Sequence, residues 1–215
     1  SKYKVTVKDV DEIDDPGQVD VMHVAVSGLL PDFSKIVLDY IRKYSPKIVD
    51  ILSTVRPGTS AALGPNVAHS TTRGLHPKQH IGILAHTKHI GGPAAEALAV
   101  YYSKVGVRCV VHKRADTTEA AHILSLVQYG VDLMLADEKA HMCRLMNVDY
   151  MESVVKYDTT GNRGWEALEM VRLARPILFP PGGHIGGHCV VQAAQLIHEA
   201  RRTPLIDMLA RFKTP

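Results

Sequence analysis

Ile81-Gly82-Ile83-Leu84-Ala85, then Lys88-His89-Ile90-Gly91-Gly92-Pro93, then the Ala/Val/Leu-rich run Pro93–Val105, is the stretch on which the reading of this chain turns. The short apolar run reads as a buried strand, the paired glycines as a tight junction, and the run from Pro93 as a helix closed by Gly106. Val107–Val111 reads as the next strand. The phrase returns at Gly183-His184-Ile185-Gly186-Gly187-His188, again after an apolar run, Ile177–Phe179, and ahead of an apolar helix. Paired glycines let backbone amides approach a ligand, and a helix N-terminus offers unpaired N–H groups to an anion. Both junctions are therefore expected to touch an anionic ligand.

The alternation extends in both directions. Val19–Val26 and Ile48–Val55 read as strands on either side of an amphipathic helix, Pro31–Tyr44, in which Phe33, Ile36, Val37, Tyr40 and Ile41 recur at helical spacing. Tyr3–Val7 reads as a half-buried strand. Asp116-Thr117-Thr118-Glu119 has the form of a capping box and opens a helix that ends at Gly130. Val131–Ala136 and Met151–Val155 read as strands, with a short helix between them and another at Trp165–Ala174. Arg56–Gln79, rich in Gly, Pro, Ser, Thr and His, reads as a long functional or mobile loop. Continuously apolar strands alternating with helices predict an α/β fold: a doubly wound, mostly parallel sheet with helices on both faces. A single three-layer domain over residues 1–215 is expected, with residues 1–18 as an N-terminal strand and acidic loop. Ligands of such folds sit beyond the carboxyl ends of the strands.

Composition narrows the partners. With 215 residues, 46% hydrophobic and 22% charged, the chain can bury a full core. A net charge of +3 does not imply a nucleic-acid partner. Cys109, Cys143 and Cys189 are odd in number and lack C-x-x-C spacing, which argues against a disulfide framework and fits a reducing cytoplasm. No apolar run approaches the ~20 residues that span a bilayer, and Ser1-Lys2-Tyr3-Lys4 does not open a signal peptide. The expectation is a cytoplasmic protein without nucleic-acid or membrane partners. Self-association is also expected, because Pro93–Val105 is apolar on most sides.

The segments after the predicted strands carry the chemistry. They supply His86, Lys88 and His89; His112, Lys113, Arg114 and Asp116; Asp137, Glu138, Lys139 and His141; and His184 and His188. The long loop adds Arg56, His69, Arg73, His76 and Lys78. All are expected at one electropositive edge, where a small anionic metabolite is the natural partner. The amides of Gly91, Gly92, Gly186 and Gly187 would hold its oxygens, with Lys88, Arg114, Arg73 and His188 neutralising its charge. His89 and His184 are the acid/base candidates, because imidazole titrates near neutral pH, and Asp137 would orient one of them. His23, His122 and His198 lie inside predicted strands or helices and read as structural.

Other chemistries are open. His86 with His89, and His184 with His188, have spacings that can hold a divalent metal, with Asp137 or Glu138 as a carboxylate ligand. Neither G-x-G-x-x-G nor a P-loop is present, so the sequence specifies no cofactor. Cys189 enters an apolar helix either as a reactive thiol or as a small hydrophobe. The reading is an enzyme acting on a small phosphorylated or carboxylated metabolite by histidine acid/base chemistry. The alternatives are a non-catalytic nucleotide- or metabolite-sensing module with Arg56–Gln79 as its switch, and a divalent-metal-dependent hydrolase.

Overall fold

Five short strands form one sheet in the computed structural model, which describes residues 4–7, 16–74, 77–181, 188–200 and 202–211. They are β1 (Val21–Val24), β2 (Ile48–Ile51), β3 (Val67–Ser70), β4 (Lys88–Gly91) and β5 (Cys109–His112), in that spatial order. β1, β2 and β3 are parallel, β4 runs antiparallel to β3, and β5 is parallel to β4. With flanking helices this is an α/β fold with a mostly parallel sheet, as the alternation predicts. Contacts divide the chain into two compact units, Ser1–His122 and Ile123–Pro215.

The first unit contains the sheet. Helix α1 (Phe33–Tyr44) presents Phe33 and Val37 to Val49, Ile51 and Val67, all 5% exposed or less. Each such side chain contributes about 1.5–3 kcal/mol on burial. Helix α4 (Ala95–Ser103) covers the opposite face, where Leu98 packs with Ala68 and Ile90. The segment 56–79 is not a featureless loop: it contains helix α2 (Thr59–Leu63) and the whole of β3. Ile81–Ala85 lies in helix α3 (Gln79–Ala85), none of whose residues is buried, and not in a strand. A short apolar run suits either structure, and here the neighbouring Lys88–Gly91 takes the place in the sheet.

The direction of β4 revises the predicted geometry. A parallel partner to β3 would need a covering crossover helix, whereas α3 buries none of its residues and the chain simply turns back. The carboxyl end of β4 therefore lies at the rim where β1–β3 begin. The segments following the strands do not all gather at one edge.

The second unit is helical. Helix α5 (Ala115–Leu145) runs from the first unit through Gly130 and Val131–Ala136, so neither the predicted helix end nor the predicted strand occurs. A Cβ at Gly130 would come within 2.6 Å of Val190 and 2.7 Å of Leu209, so this glycine serves close packing and not helix termination. Met151–Lys156, expected in part as a strand, is a π-helical turn leading into α6 (Tyr157–Ala167). A 3-10 turn (Val171–Leu173) and a non-regular stretch through Ile177–Phe179 follow, where a helix end and a strand were expected. Helices α7 (His188–Ala200) and α8 (Pro204–Arg211) complete the unit. No helix among the described residues is long and apolar enough to cross a membrane.

Candidate functional site: buried imidazoles beside unpaired cations

The polar interior of the first unit is densest where β3 meets the start of α5. His69 in β3 is fully buried, and its Nδ1 lies 2.9 Å from the Thr118 hydroxyl on α5. That hydroxyl has one hydrogen and donates it, in the manner of helical serines and threonines, to the Ala115 carbonyl at 2.9 Å. His69 Nε2 is buried and, among the described residues, without a hydrogen-bond partner; the Ser53 backbone is the further polar group that bears on the ring. One helical turn beyond Thr118, His122 turns its ring toward His69 with centroids 5.9 Å apart, and its Nδ1 is likewise buried and unpartnered. Buried polar atoms without partners are uncommon and call for a specific explanation.

Glu119, between them on α5, is fully buried and accepts from the backbone N–H groups of Gly58 (2.6 Å) and Ser60 (2.8 Å) at the start of α2. The expected capping box is thus not what Glu119 makes. α5 begins one residue earlier, at Ala115, Asp116 pairs with the exposed Arg114, and Glu119 caps a different helix.

Two cations border the imidazoles. Lys88, at the start of β4, is buried; its ammonium donates to the Thr71 carbonyl (3.0 Å) and the Thr72 hydroxyl (3.2 Å) and sits 4.8 Å from the centre of the Tyr102 ring. Thr71, Thr72, Arg73, His86 and Lys88 line a small crevice. Among the described residues, neither Lys88 nor Arg73 has a carboxylate within ion-pair distance. Burial pushes the Lys88 ammonium below the usual lysine range, with the Asp50 carboxylate opposing the shift. Burial also pushes His69 down to about 3, and the neighbouring His122 adds to the effect. His122 is lowered by burial first and then by the charges of Lys88 and Arg73. His89 is lowered by burial, by His112 and by Arg73. Its Nδ1 lies 2.9 Å from His112 Nε2, with the two rings stacked.

The residues selected from sequence are distributed as follows. Lys88 bears electrostatically on both imidazoles and Arg73 on His122, whereas His89 pairs with His112. Gly91 and Gly92 are buried at the other end of β4. A Cβ at Gly91 would collide with the Arg114 carbonyl, and Gly92 has φ 113° with Val67 and Ala115 close by. Their required smallness is met by packing against β3 and the start of α5. Arg114 is exposed and held by Asp116. Asp137 lies within α5 in the second unit. His86 is exposed, with Nδ1 2.9 Å from the Gly82 carbonyl. Among the described residues no three His, Cys, Asp or Glu side chains are placed to hold a metal. His184, Gly186 and Gly187 lie outside the described residues, and His188 begins α7. His122, read from sequence as structural, and Glu119 are central here. The available signal was that Thr118, Glu119 and His122 share one face of a helix.

No protein-family model and no curated protein matches this sequence. Solved structures do share its fold. A UDP-D-ManNAc dehydrogenase from Pyrococcus horikoshii superposes with a TM-score of 0.65 at 20% identity, over 90% of this chain and 50% of that one. The UDP-N-acetyl-mannosamine dehydrogenase from Staphylococcus aureus gives 0.65 at 20% identity, over 92% and 50%. A 3-hydroxyisobutyrate dehydrogenase from Mycobacterium tuberculosis gives 0.60 at 13% identity, over 89% and 72%. The fold is therefore that of Rossmann-type dehydrogenases, and the chain spans about half the length of the sugar-nucleotide enzymes it resembles.

Dinucleotide-binding folds seat a pyrophosphate at a glycine-rich strand-to-helix turn. The β1–α1 turn does not fit that group. Its Gly28 is packed onto the Thr54 carbonyl, and the carboxylate of Asp32 stands at the N-cap of α1, where it would repel a phosphate.

Proposed function

We propose that this chain carries the chemistry of an enzyme acting on a small anionic metabolite. In this reading Lys88 and Arg73 hold the anionic group, and the imidazoles of His69 and His122 handle a polar group beside it. The observation that carries the proposal is the pair of buried ring nitrogens that lack hydrogen-bond partners among the described residues, with the charge of Lys88 acting on both rings and that of Arg73 on His122. His69 Nε2 makes a hydrogen bond with the substrate; with its basicity this low the ring orients and does not take the proton. His122 is the ring assigned to move the proton; burial first, and then the charges of Lys88 and Arg73, hold it below the usual histidine range, and an anion seated at those cations offsets the second cause. Because the β1–α1 turn does not fit a dinucleotide, no step here passes through one.

The names of several fold neighbours, which act on UDP-sugars or related nucleotide sugars, support an anion bearing phosphate. The proposal is tested by calorimetric titration with inorganic pyrophosphate and with UDP-glucose. Lys88→Met is expected to weaken binding at least tenfold, the loss of about 1.4 kcal/mol of charge-assisted contact. His122→Gln should retain binding while any turnover found falls about 10²–10⁴-fold. Unchanged affinity in the Lys88 variant, or no binding to the unaltered protein, would reject the site.

A further inference from the structure

The face of the sheet under α4 holds a second polar assembly, which adjoins Lys88 through the Tyr102 ring and is unused by the function proposed above. Asp50, in the middle of β2, is fully buried among residues that otherwise form an apolar cluster. A buried carboxylate costs several kcal/mol unless it is fully hydrogen-bonded, and three donors converge on this one. Ser70 Oγ donates to Oδ1 at 2.6 Å, Tyr102 Oη donates to Oδ2 at 2.6 Å, and His23 Nδ1 lies 2.8 Å from Oδ2. The ionised carboxylate can only accept, so the His23 proton sits on Nδ1 and Nε2 points away from Asp50. His23 lies on edge strand β1 with 34% of its side chain exposed. Its ring is flanked by those of Tyr101 and Tyr102 at 5.6 and 5.9 Å, and its Nε2 lies 3.4 Å from the Tyr101 hydroxyl.

We infer that His23 and Asp50 form an acid/base dyad whose outward Nε2 takes a proton from a hydroxyl-bearing ligand seated against the two tyrosine rings. In that step the ligand O–H bond breaks, the electron pair stays on oxygen, and the proton forms an Nε2–H bond. The resulting imidazolium keeps its Nδ1–H on the Asp50 carboxylate, which stays ionised. A purely structural requirement would be met more cheaply by an apolar residue at position 50, since its neighbours Ile48, Ala68 and Ile90 already form a continuous core. To reach Nε2 the ligand hydroxyl displaces the Tyr101 hydroxyl, which lies 3.4 Å away.

The test uses diethyl pyrocarbonate, which acylates the free lone pair of imidazole, with each modified histidine located and its rate followed by mass spectrometry. His141, exposed on α5, is the internal reference. His23 is expected to react at least fivefold faster than His141 in the unaltered protein, and Asp50→Asn should bring it down to the reference rate. Tyr102→Phe keeps the ring but removes the donor that competes for Oδ2, so it should accelerate His23 twofold or more; this variant decides the matter if the Asp50 variant does not fold. Millimolar phenol, a minimal hydroxyl-bearing ring, should slow His23 and leave His141 unchanged. The inference is overturned by a His23 rate no faster than His141, by indifference to a folded Asp50→Asn, by no acceleration in Tyr102→Phe, or by no protection by phenol.

Discussion

The two units of the chain bury different chemistry. Ser1–His122 takes Asp50, Ser60, His69, Ser70, Lys88, Thr118 and Glu119 out of water, whereas among the described residues of Ile123–Pro215 only Asp158 is a buried polar side chain. The interior of the second unit is otherwise assembled from residues such as Leu133, Ala140, Ala193, Leu196 and Leu209. Asp158 itself lies 3.4 Å from Lys139 and 3.8 Å from Arg175, a local ion cluster with no unpartnered member. In the first unit, by contrast, Tyr44 Oη, Ser60 Oγ, His69 Nε2, Gln79 Oε1 and His122 Nδ1 are buried and without hydrogen-bond partners among the described residues. Desolvated titratable groups are where a functional site is sought, which supports the site proposed in the first unit.

Three measurements would break or sharpen this contrast. The largest effect is expected for Glu119→Ala, which strips the buried N–H of Ser60 and the part-buried N–H of Gly58 of a charged acceptor. With charge-assisted bonds worth about 1.5–3 kcal/mol each, a loss near 4 kcal/mol should appear in urea unfolding. A loss under about 1 kcal/mol would mean that the polar interior is not holding α2. In the second unit Leu209→Ala should cost about 3 kcal/mol through cavity formation alone. That cost should be the same at pH 5 and pH 8; a strong pH dependence would erase the distinction between the units.

The third concerns acid. His69 takes up a proton near its ordinary 6.5 when unfolded but only at about 3 when folded. The unfolded state therefore binds more protons between these values. The stabilisation tied to neutral His69 is fully present above pH 6.5 and is lost as pH falls toward 3, with a slope of up to about 1.4 kcal/mol per pH unit. His122 is shifted in the same direction and adds to it. Unfolding midpoints recorded from pH 7 to 4 should show this slope, and His69→Gln should flatten it; an equally steep decline in that variant would assign the acid sensitivity elsewhere.

Much of the first unit was legible in the sequence because its signals are local. The 3.6-residue spacing of Phe33, Val37 and Ile41, and the apolar runs at Ile48 and Val107, needed no knowledge of the fold. β3 escaped because Val67-Ala68-His69-Ser70 is short, half polar and set among Gly, Pro and Thr. β4 escaped because Lys88–Gly91 reads as the junction after a strand at Ile81–Ala85, and its reversed direction leaves no mark in strand periodicity. Gly130 misled for a related reason: glycine favours helix ends, but a helix also uses it where another chain segment presses close, and sequence alone does not separate the two. At the candidate site, Lys88, Arg73 and His89 were visible as charges near a junction. The pairing of His69 with His122 depends on β3, and so could not be seen before that strand was.

The hydroxyl of Thr118 has a spectroscopic consequence. The two nitrogens of the His69 ring give well-separated resonances according to which of them keeps the proton beside that hydroxyl. A molecule that bonds to the other nitrogen would move its line, so contact with this ring can be followed in isotopically labelled protein.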